Sequence, residues 1–267
     1  MKDDGELGTG LRDRVLARFG FTTPPPATVD GLNTLYSAWN RWVPFDNLQK
    51  RLALATGPAA ALPCATPEEF FARYLAHGTG ATCWPSSTAL HALLCSCGFE
   101  AIRLAGTMMP TGVDHGSVLV RMAGHELLVD AWMDERPLLL PPGGPAPVGP
   151  ADGRIEPYGS LWRVRYLHPT REEHCFFDVK ERDVSFARML AGYEGSRTNS
   201  RFNTHLFARK NVAGGVLCLT RGGRHFRDAG GLTRRELAPD EVARLLIEEF
   251  GYSEEIVARL PPDEPEP

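Results

Sequence analysis

Apolar residues in the first third of the chain recur at spacings of three and four. Leu32, Leu35, Tyr36, Trp39 and Trp42 predict one face of a helix. Thr66-Pro67-Glu68-Glu69 has the form of a capping box with proline at the first helical position. It predicts a helix through Phe70, Phe71 and Leu75 that stops at Gly78. A further helix is expected to begin near Cys83. Pro85 suits its first turn, Ala89, Leu90, Leu93, Leu94 and Cys97 make its apolar stripe, and Gly98 closes it.

Near residue 100 the pattern changes to strands. Ala101 to Met109, Val113 to Met122 and Glu126 to Met133 predict three, the last two joined by a turn at Ala123-Gly124. Residues 141–150 hold five prolines and three glycines, which neither helix nor ladder tolerates, so a loop or lid is expected. Short β-like segments follow at Leu161 to Tyr166, Cys175 to Val179, Phe202 to Ala208 and Gly215 to Thr220. Val242, Leu245, Leu246 and Phe250 then mark a helix face, and Pro261 to Pro267 is expected to fray. No internal repeat is present. The order predicts an α+β protein rather than a doubly wound sheet, in three units: helical residues 1–99, β-rich residues 100–195 and mixed α/β residues 196–267.

Composition narrows the class. Of 267 residues, 43% are hydrophobic and 23% charged, enough apolar material for a core without disulfide support. The net charge of −4 argues against a general affinity for nucleic acid or anionic membrane. No apolar run is long enough to span a bilayer, and Met1 to Gly10 does not read as a signal peptide. A cytoplasmic protein with reduced thiols is the expectation. Cys64, Cys83, Cys95, Cys97, Cys175 and Cys218 are scattered and do not read as a disulfide framework.

Among these six, Cys83 has a distinctive setting. It follows Gly78-Thr79-Gly80-Ala81-Thr82 and starts an apolar helix, where free N–H groups and the helix dipole favour a thiolate nucleophile. Such a nucleophile needs an imidazole base, and the imidazole needs a carboxylate to orient it. His115 and Asp130 lie 15 positions apart on the two strands of the predicted hairpin. If facing positions sum to 247, His115 opposes Trp132 with Asp130 its diagonal neighbour; a sum of 245 makes the pair directly opposed. Either register puts both on one face, whereas an even sum would separate them. Taken singly, Cys83 also reads as a packing thiol, Asp130 as a solvated carboxylate and His115 as a partly buried ring.

At these residues the chain resembles the arylamine N-acetyltransferase family. That family carries Cys, His and Asp in this order, the Asp in a Val-Asp pair, here Cys83, His115 and Val129-Asp130. Val43-Pro44-Phe45-Asp46-Asn47-Leu48 is similar to the family's (Val/Ile)-Pro-Phe-Glu-Asn-Leu. Gly98-Phe99, Arg136-Pro137-Leu138-Leu139-Leu140 and Ser200-Arg201-Phe202 match weaker landmarks. The chain departs from the family where Arg-Gly-Gly-x-Cys is usual, since Thr79 stands in place of the arginine. It departs again at Trp84, Pro85, Ser86 and Ser87, and at Ala131-Trp132-Met133.

The resemblance implies a helical bundle, a central antiparallel β-barrel, a C-terminal α/β lid and a cysteine-protease-like triad. It implies ping-pong acyl transfer through a Cys83 acyl-enzyme, with His115 as base and Asp130 holding the ring. No bound cofactor or metal is implied. The co-substrate would be a thioester of coenzyme A or of an acyl carrier protein, and the acceptor a small-molecule amine. Phe45, Trp84 and Trp132 are candidate pocket residues, though large aromatics serve equally as core. The departures and the short Met108 to Asp114 loop suggest an open site. They keep other readings in play: an amide synthase of secondary metabolism, a transglutaminase-like thiol hydrolase or a non-catalytic binding member. Other motifs carry less. Gly78-x-Gly80 lacks the strand context of a dinucleotide site, His91 and Cys95 lack a second ligand pair, and Arg221-Gly222-Gly223-Arg224 reads as a basic turn.

Overall fold

A computed structural model describes residues 7–122, 124–132, 138–140, 153–159, 161–220 and 222–264. Five helices come first: α1 (Thr9–Arg18), α2 (Val29–Trp42), α3 (Leu48–Thr56), α4 (Pro67–His77) and α5 (Cys83–Ser96), with the short strand β1 (Phe45–Asp46) between α2 and α3. Strands β2 (Glu100–Met109), β3 (Val113–Met122), β4 (His125–Val129), β5 (Leu138–Leu140), β6 (Arg154–Tyr158), β7 (Leu161–Leu167) and β8 (His174–Arg182) follow. Then come α6 (Phe186–Asn199), a 3₁₀ turn (Arg201–Asn203), β9 (Phe207–Val212), β10 (Gly215–Thr220), β11 (Gly223–Asp228), β12 (Gly231–Glu236), α7 (Pro239–Glu248) and α8 (Glu254–Ala258).

The strands form two antiparallel sheets. One has seven strands in the order β5-β4-β3-β2-β8-β7-β6, the other five in the order β1-β9-β10-β11-β12. The seven-stranded sheet curls so that its edges β5 and β6 approach each other, a half-barrel with no ladder joining those edges among the described residues. β1, from the helical first third, is an edge strand of the C-terminal sheet.

The β3–β4 hairpin sets the site. Val118 pairs with Val129 and Leu119 with Leu128, so facing positions sum to 247. Val118, Val120, Leu127 and Val129 pack toward the helices, while Leu119 and Leu128 face a second core with Phe177 and Trp132. Both faces are therefore buried, and the period of two decides which chemistry each receives. His115 and Ser117 share the parity of Leu119; Asp130 shares that of Leu128.

α5 lies between the helical layer and this sheet and is buried all round from Trp84 to Leu94, not along a single stripe. Leu90, Leu93 and Leu94 are fully buried there. Truncating one to alanine costs about 2–5 kcal/mol. α2 buries Leu32, Leu35, Tyr36 and Trp39 as its periodicity predicts, but Trp42 is exposed, at the end of the helix beside Arg41. The Thr66 hydroxyl caps α4 by accepting from Glu69 N–H, and the Glu69 carboxylate returns to Ala65 N–H. α4 ends at Gly78 in the left-handed conformation.

The structure departs from the sequence expectations at four further points. Glu126 to Met133 stops being strand after Val129, because Asp130 Oδ1 accepts the Trp132 N–H in a tight turn. Phe202 to Ala208 is a 3₁₀ turn followed by β9. Asn47 holds that shape by donating to the Phe202 and His205 carbonyls and accepting from Phe207 N–H. α6 was not anticipated, since Gly192 and Gly195 interrupt its pattern. The tail as far as Glu264 is anchored, with Arg51 donating to the Pro261 and Pro262 carbonyls and pairing with Asp263 at 2.9 Å. Met133, Arg136-Pro137, Ala123, Arg221, the 141–150 segment and residues 265–267 lie outside the described residues.

Candidate active site

Cys83 opens α5 at the floor of a cleft of about 410 Å³. The first rung of the helical ladder is Ser86 N–H to the Thr82 carbonyl, so the Cys83 and Trp84 N–H groups precede it. The approach to Cys83 is held from two sides. Gly80 donates to Asp46 Oδ2 at 2.7 Å, and a Cβ at Gly80 would overlap the Pro44 carbonyl oxygen. Ala81 accepts from Asp46 N–H, and Thr79 Oγ1 accepts from Gln49 Nε2. The glycines are thus required by close backbone approach rather than by a phosphate.

His115 and Asp130 come together as the 247 register requires. His115 Nε2 lies 2.8 Å from Asp130 Oδ2, and the two residues are only 4% and 1% exposed. Burial alone would push the imidazole down. The Asp130 carboxylate, the charge of Cys83 and hydrogen bonds to both outweigh it, so His115 is raised. Burial likewise opposes the Asp130 charge, and the imidazolium with the Trp132 N–H overcomes it, leaving Asp130 below its ordinary value. Cys83 lines the same cleft as His115, and its charge adds to that of Asp130 in raising the imidazole.

The aromatic candidates divide. Phe45 and Trp132 border the cleft with ring centroids 4.6 Å apart, joined there by Phe202 and Phe207. Trp84 touches the cleft floor but is 1% exposed, its indole wedged where Gly116 and Gly192 leave room; a Cβ at either glycine would strike the ring. Cys175 also lines the cleft, where burial raises its thiol. All six cysteines are free.

Several residues of the site carry no local sequence signal. Tyr36 donates to the Asp130 carbonyl at 2.6 Å and accepts from Asp130 N–H at 2.9 Å, gripping that backbone. Lys50 is 3% exposed and donates to Ser196, which lines the cleft. Burial lowers its ammonium to about 8, against the opposing pull of Cys83. Phe202 and Phe207 sit in a segment whose shape depends on Asn47. The set-aside motifs are packing and pairing devices: His91 Nε2 donates to the Ala101 carbonyl beside Cys95, and Arg224 pairs with Glu249. Among the described residues, no cluster of three His, Cys, Asp or Glu side chains could hold a metal, and no helix is long and apolar enough to cross a membrane.

A helical layer thus delivers Cys83 to the cleft of an antiparallel sheet that carries the His115–Asp130 pair. A family model described as N-acetyltransferase matches residues 28–256, and the chain belongs to this family, whose members transfer acyl groups to amines. Its fold matches solved arylamine N-acetyltransferases. That of Mycobacterium smegmatis is 20% identical, with 95% of this chain and 97% of that one covered at a TM-score of 0.79. That of Mycobacterium marinum in complex with CoA is 19% identical, with 92% and 96% covered at 0.78. That of Salmonella typhimurium is 20% identical, with 94% and 98% covered at 0.77. No curated protein matches the sequence.

Proposed function

We propose that this protein moves an acyl group from a coenzyme A thioester to a small-molecule amine through an acyl-enzyme on Cys83. The observation that carries the reading is the buried His115–Asp130 pair in the cleft that Cys83 also lines. The Cys83 thiolate attacks the thioester carbonyl carbon. The carbon–sulfur bond to the carrier breaks, and the departing thiolate takes the proton from His115. An amine then attacks the Cys83 thioester, His115 removes its proton, and collapse releases the amide and the Cys83 thiolate. The Cys83 backbone N–H is the oxyanion donor in this scheme.

The electrostatics suit two half-reactions. With the thiolate present, two negative groups hold the proton on His115. Acylation removes one of them, so the ring becomes a readier base when the amine arrives. Asp130 orients the ring throughout. Phe45 and Trp132 would hold the acyl or aryl group against the apolar wall, while Trp84 supports the floor. The M. marinum relative was solved in complex with CoA, which supports a coenzyme A donor here. Nothing in the cleft favours a carrier-tethered donor over the free thioester.

Intact-mass measurement after incubation with acetyl-coenzyme A and longer acyl thioesters tests the scheme. A single acyl adduct is expected on the wild type, absent from Cys83→Ala and discharged by an added aryl amine. No adduct with any donor overturns the reading, and discharge by water as fast as by amine makes the protein a hydrolase.

A further inference from the structure

The aromatic wall of the cleft depends on a stretch of backbone that is held from outside the cleft. Cys83 packs against the cluster that contains Phe45, Trp132 and Phe207, and Phe202 joins that cluster from its half-buried side. Between ring centroids, Phe202 lies 5.5 Å from Phe45 and 5.2 Å from Phe207, and Phe207 stacks on Trp132 at 5.4 Å. Aromatic pairs favour particular spacings and tilts, so this wall is only as well defined as the backbone from 202 to 207. That backbone is in transition. The 3₁₀ turn ends at Asn203 and β9 begins at Phe207. The polar groups between them need partners from other parts of the chain.

Those partners come by two routes. Asn47 takes the Phe202 and His205 carbonyls and the Phe207 N–H. Residues 263 and 264 take the groups in between. Leu206 N–H donates to Asp263 Oδ1 at 2.8 Å, and Glu264 N–H donates to the Thr204 carbonyl at 3.2 Å. Asp263 is fixed in turn by Arg51, whose Nη2 lies 2.9 Å from the same carboxylate oxygen and also donates to the Pro261 and Pro262 carbonyls. The Arg51 side chain is 3% exposed and that of Asp263 14%, so solvent and salt screen this pair far less than a surface ion pair. Arg51 stands one helical turn after Asn47 and donates its N–H to the Asn47 carbonyl. A single turn of α3 therefore commands both routes.

We infer that Asp263 is a positioning residue of the active site: held by Arg51, it acts through Leu206 N–H to keep Phe202 and Phe207 at the spacing that receives an aryl or other apolar group bound for Cys83. The inference rests on the proposed acyl transfer for the identity of that group. Asp263 acts only through the backbone and is not part of the cleft lining. Without it the buried Leu206 N–H loses its acceptor between two residues that Asn47 still grips. The expected result is a loosened wall on an intact sheet.

Two thiol reagents that differ only in the group on nitrogen, N-phenylmaleimide and N-ethylmaleimide, read the wall without turnover. The rate of each at Cys83 would be followed by peptide mass mapping. Dividing the phenyl-to-ethyl rate ratio by that of glutathione removes the intrinsic difference in reactivity. The normalised ratio is expected to be about fivefold or more in the wild type, the scale of a favourable aromatic contact. Asp263→Ala should bring the ratio close to one while leaving the ethyl rate nearly unchanged. Asp263→Asn, whose amide oxygen can still accept from Leu206 N–H, should keep most of it. A general loss of structure would move both rates together and would not give this split. A wild-type ratio close to one overturns the inference, as does a ratio that survives Asp263→Ala. Should Asp263→Ala lose its cooperative melting transition, Asp263→Glu decides instead. It keeps the charge but shifts the carboxylate by one methylene, so the ratio should fall, and an unchanged ratio overturns the inference. Acylation of Cys83 by acetyl-coenzyme A in the same wild-type sample reports separately on the proposed function.

Discussion

Asp46 and Asp130 are both sealed from solvent and both belong to the frame that presents Cys83, yet burial leaves them on opposite sides of the ordinary carboxylate range. Asp46 is raised to about 6 by burial, which outweighs the lowering effects of Gly80 N–H, the Tyr252 hydroxyl and Leu48 N–H. Its partners are all neutral. Asp130 meets the same desolvation but faces an imidazole that takes up a proton, and it is lowered. Dipoles soften the cost of a buried charge, whereas a counter-charge reverses its sign. Asp46 thus acts as a structural clasp between β1, the Gly80 loop and Tyr252 beyond α7. Asp130 is the one arranged to remain ionised beside a proton-carrying ring.

Removing the counter-charge gives the largest expected effect. Asp130→Asn should lower kcat by roughly a thousand- to ten-thousand-fold, the scale seen when an imidazole loses its orienting carboxylate. It should also bring the His115 titration toward lower pH by NMR. A raised histidine contributes stability that is complete below its unfolded value near 6.5 and is lost as pH rises through its folded value. The variant should therefore lose the alkaline limb of the stability profile. Activity within tenfold of wild type would remove Asp130 from the mechanism.

Asp46 should show the same pH sign as His115, in a lower window. A carboxyl raised from 3.8 to about 6 favours the folded state while protonated, so its contribution falls as pH rises across that window. The difference in unfolding free energy between wild type and Asp46→Asn should change across the window by on the order of 3 kcal/mol, and stay flat outside it. A difference that is flat throughout would mean that the carboxylate is not desolvated as described.

The tyrosines sharpen the contrast. Tyr36→Phe removes a hydroxyl that serves both the N–H and the C=O of Asp130, and should cost about 2 kcal/mol in stability, read by urea unfolding. Tyr252→Phe removes a hydroxyl that donates to Asp46 Oδ2 at 3.0 Å. It should cost about 1 kcal/mol and move the Asp46 window upward in pH. A downward movement would contradict the role of that hydroxyl.

The parts of the site that were legible in the sequence rest on local rules. The turn at Ala123-Gly124 left sums of 247 and 245 open, either of which puts His115 and Asp130 on one face, and the strand pairing selected 247. Cys83 was legible because Gly80, Pro85 and an apolar run mark a helix start. α6 was not, because Gly192 looks like a defect until the Trp84 indole is seen in the space it leaves. Phe202 and Phe207 could not be assigned to the cleft either, since Asn47, some 155 to 160 positions away, fixes their backbone. Trp42 shows the reverse error, a residue with the right period at a helix end that the core does not reach.

By itself the sequence determined which segments become helix or strand where the period is clear, and that His115 and Asp130 share one face of a hairpin. Only the tertiary structure decided that Tyr36 grips Asp130 and that Asp46 ties the Cys83 loop to β1 and Tyr252. The physical reason is range. Periodicity, caps and turns act over a few residues. Desolvation, counter-charge and backbone approach depend on which distant side chains arrive at the same place, and those set the ionisation of the site.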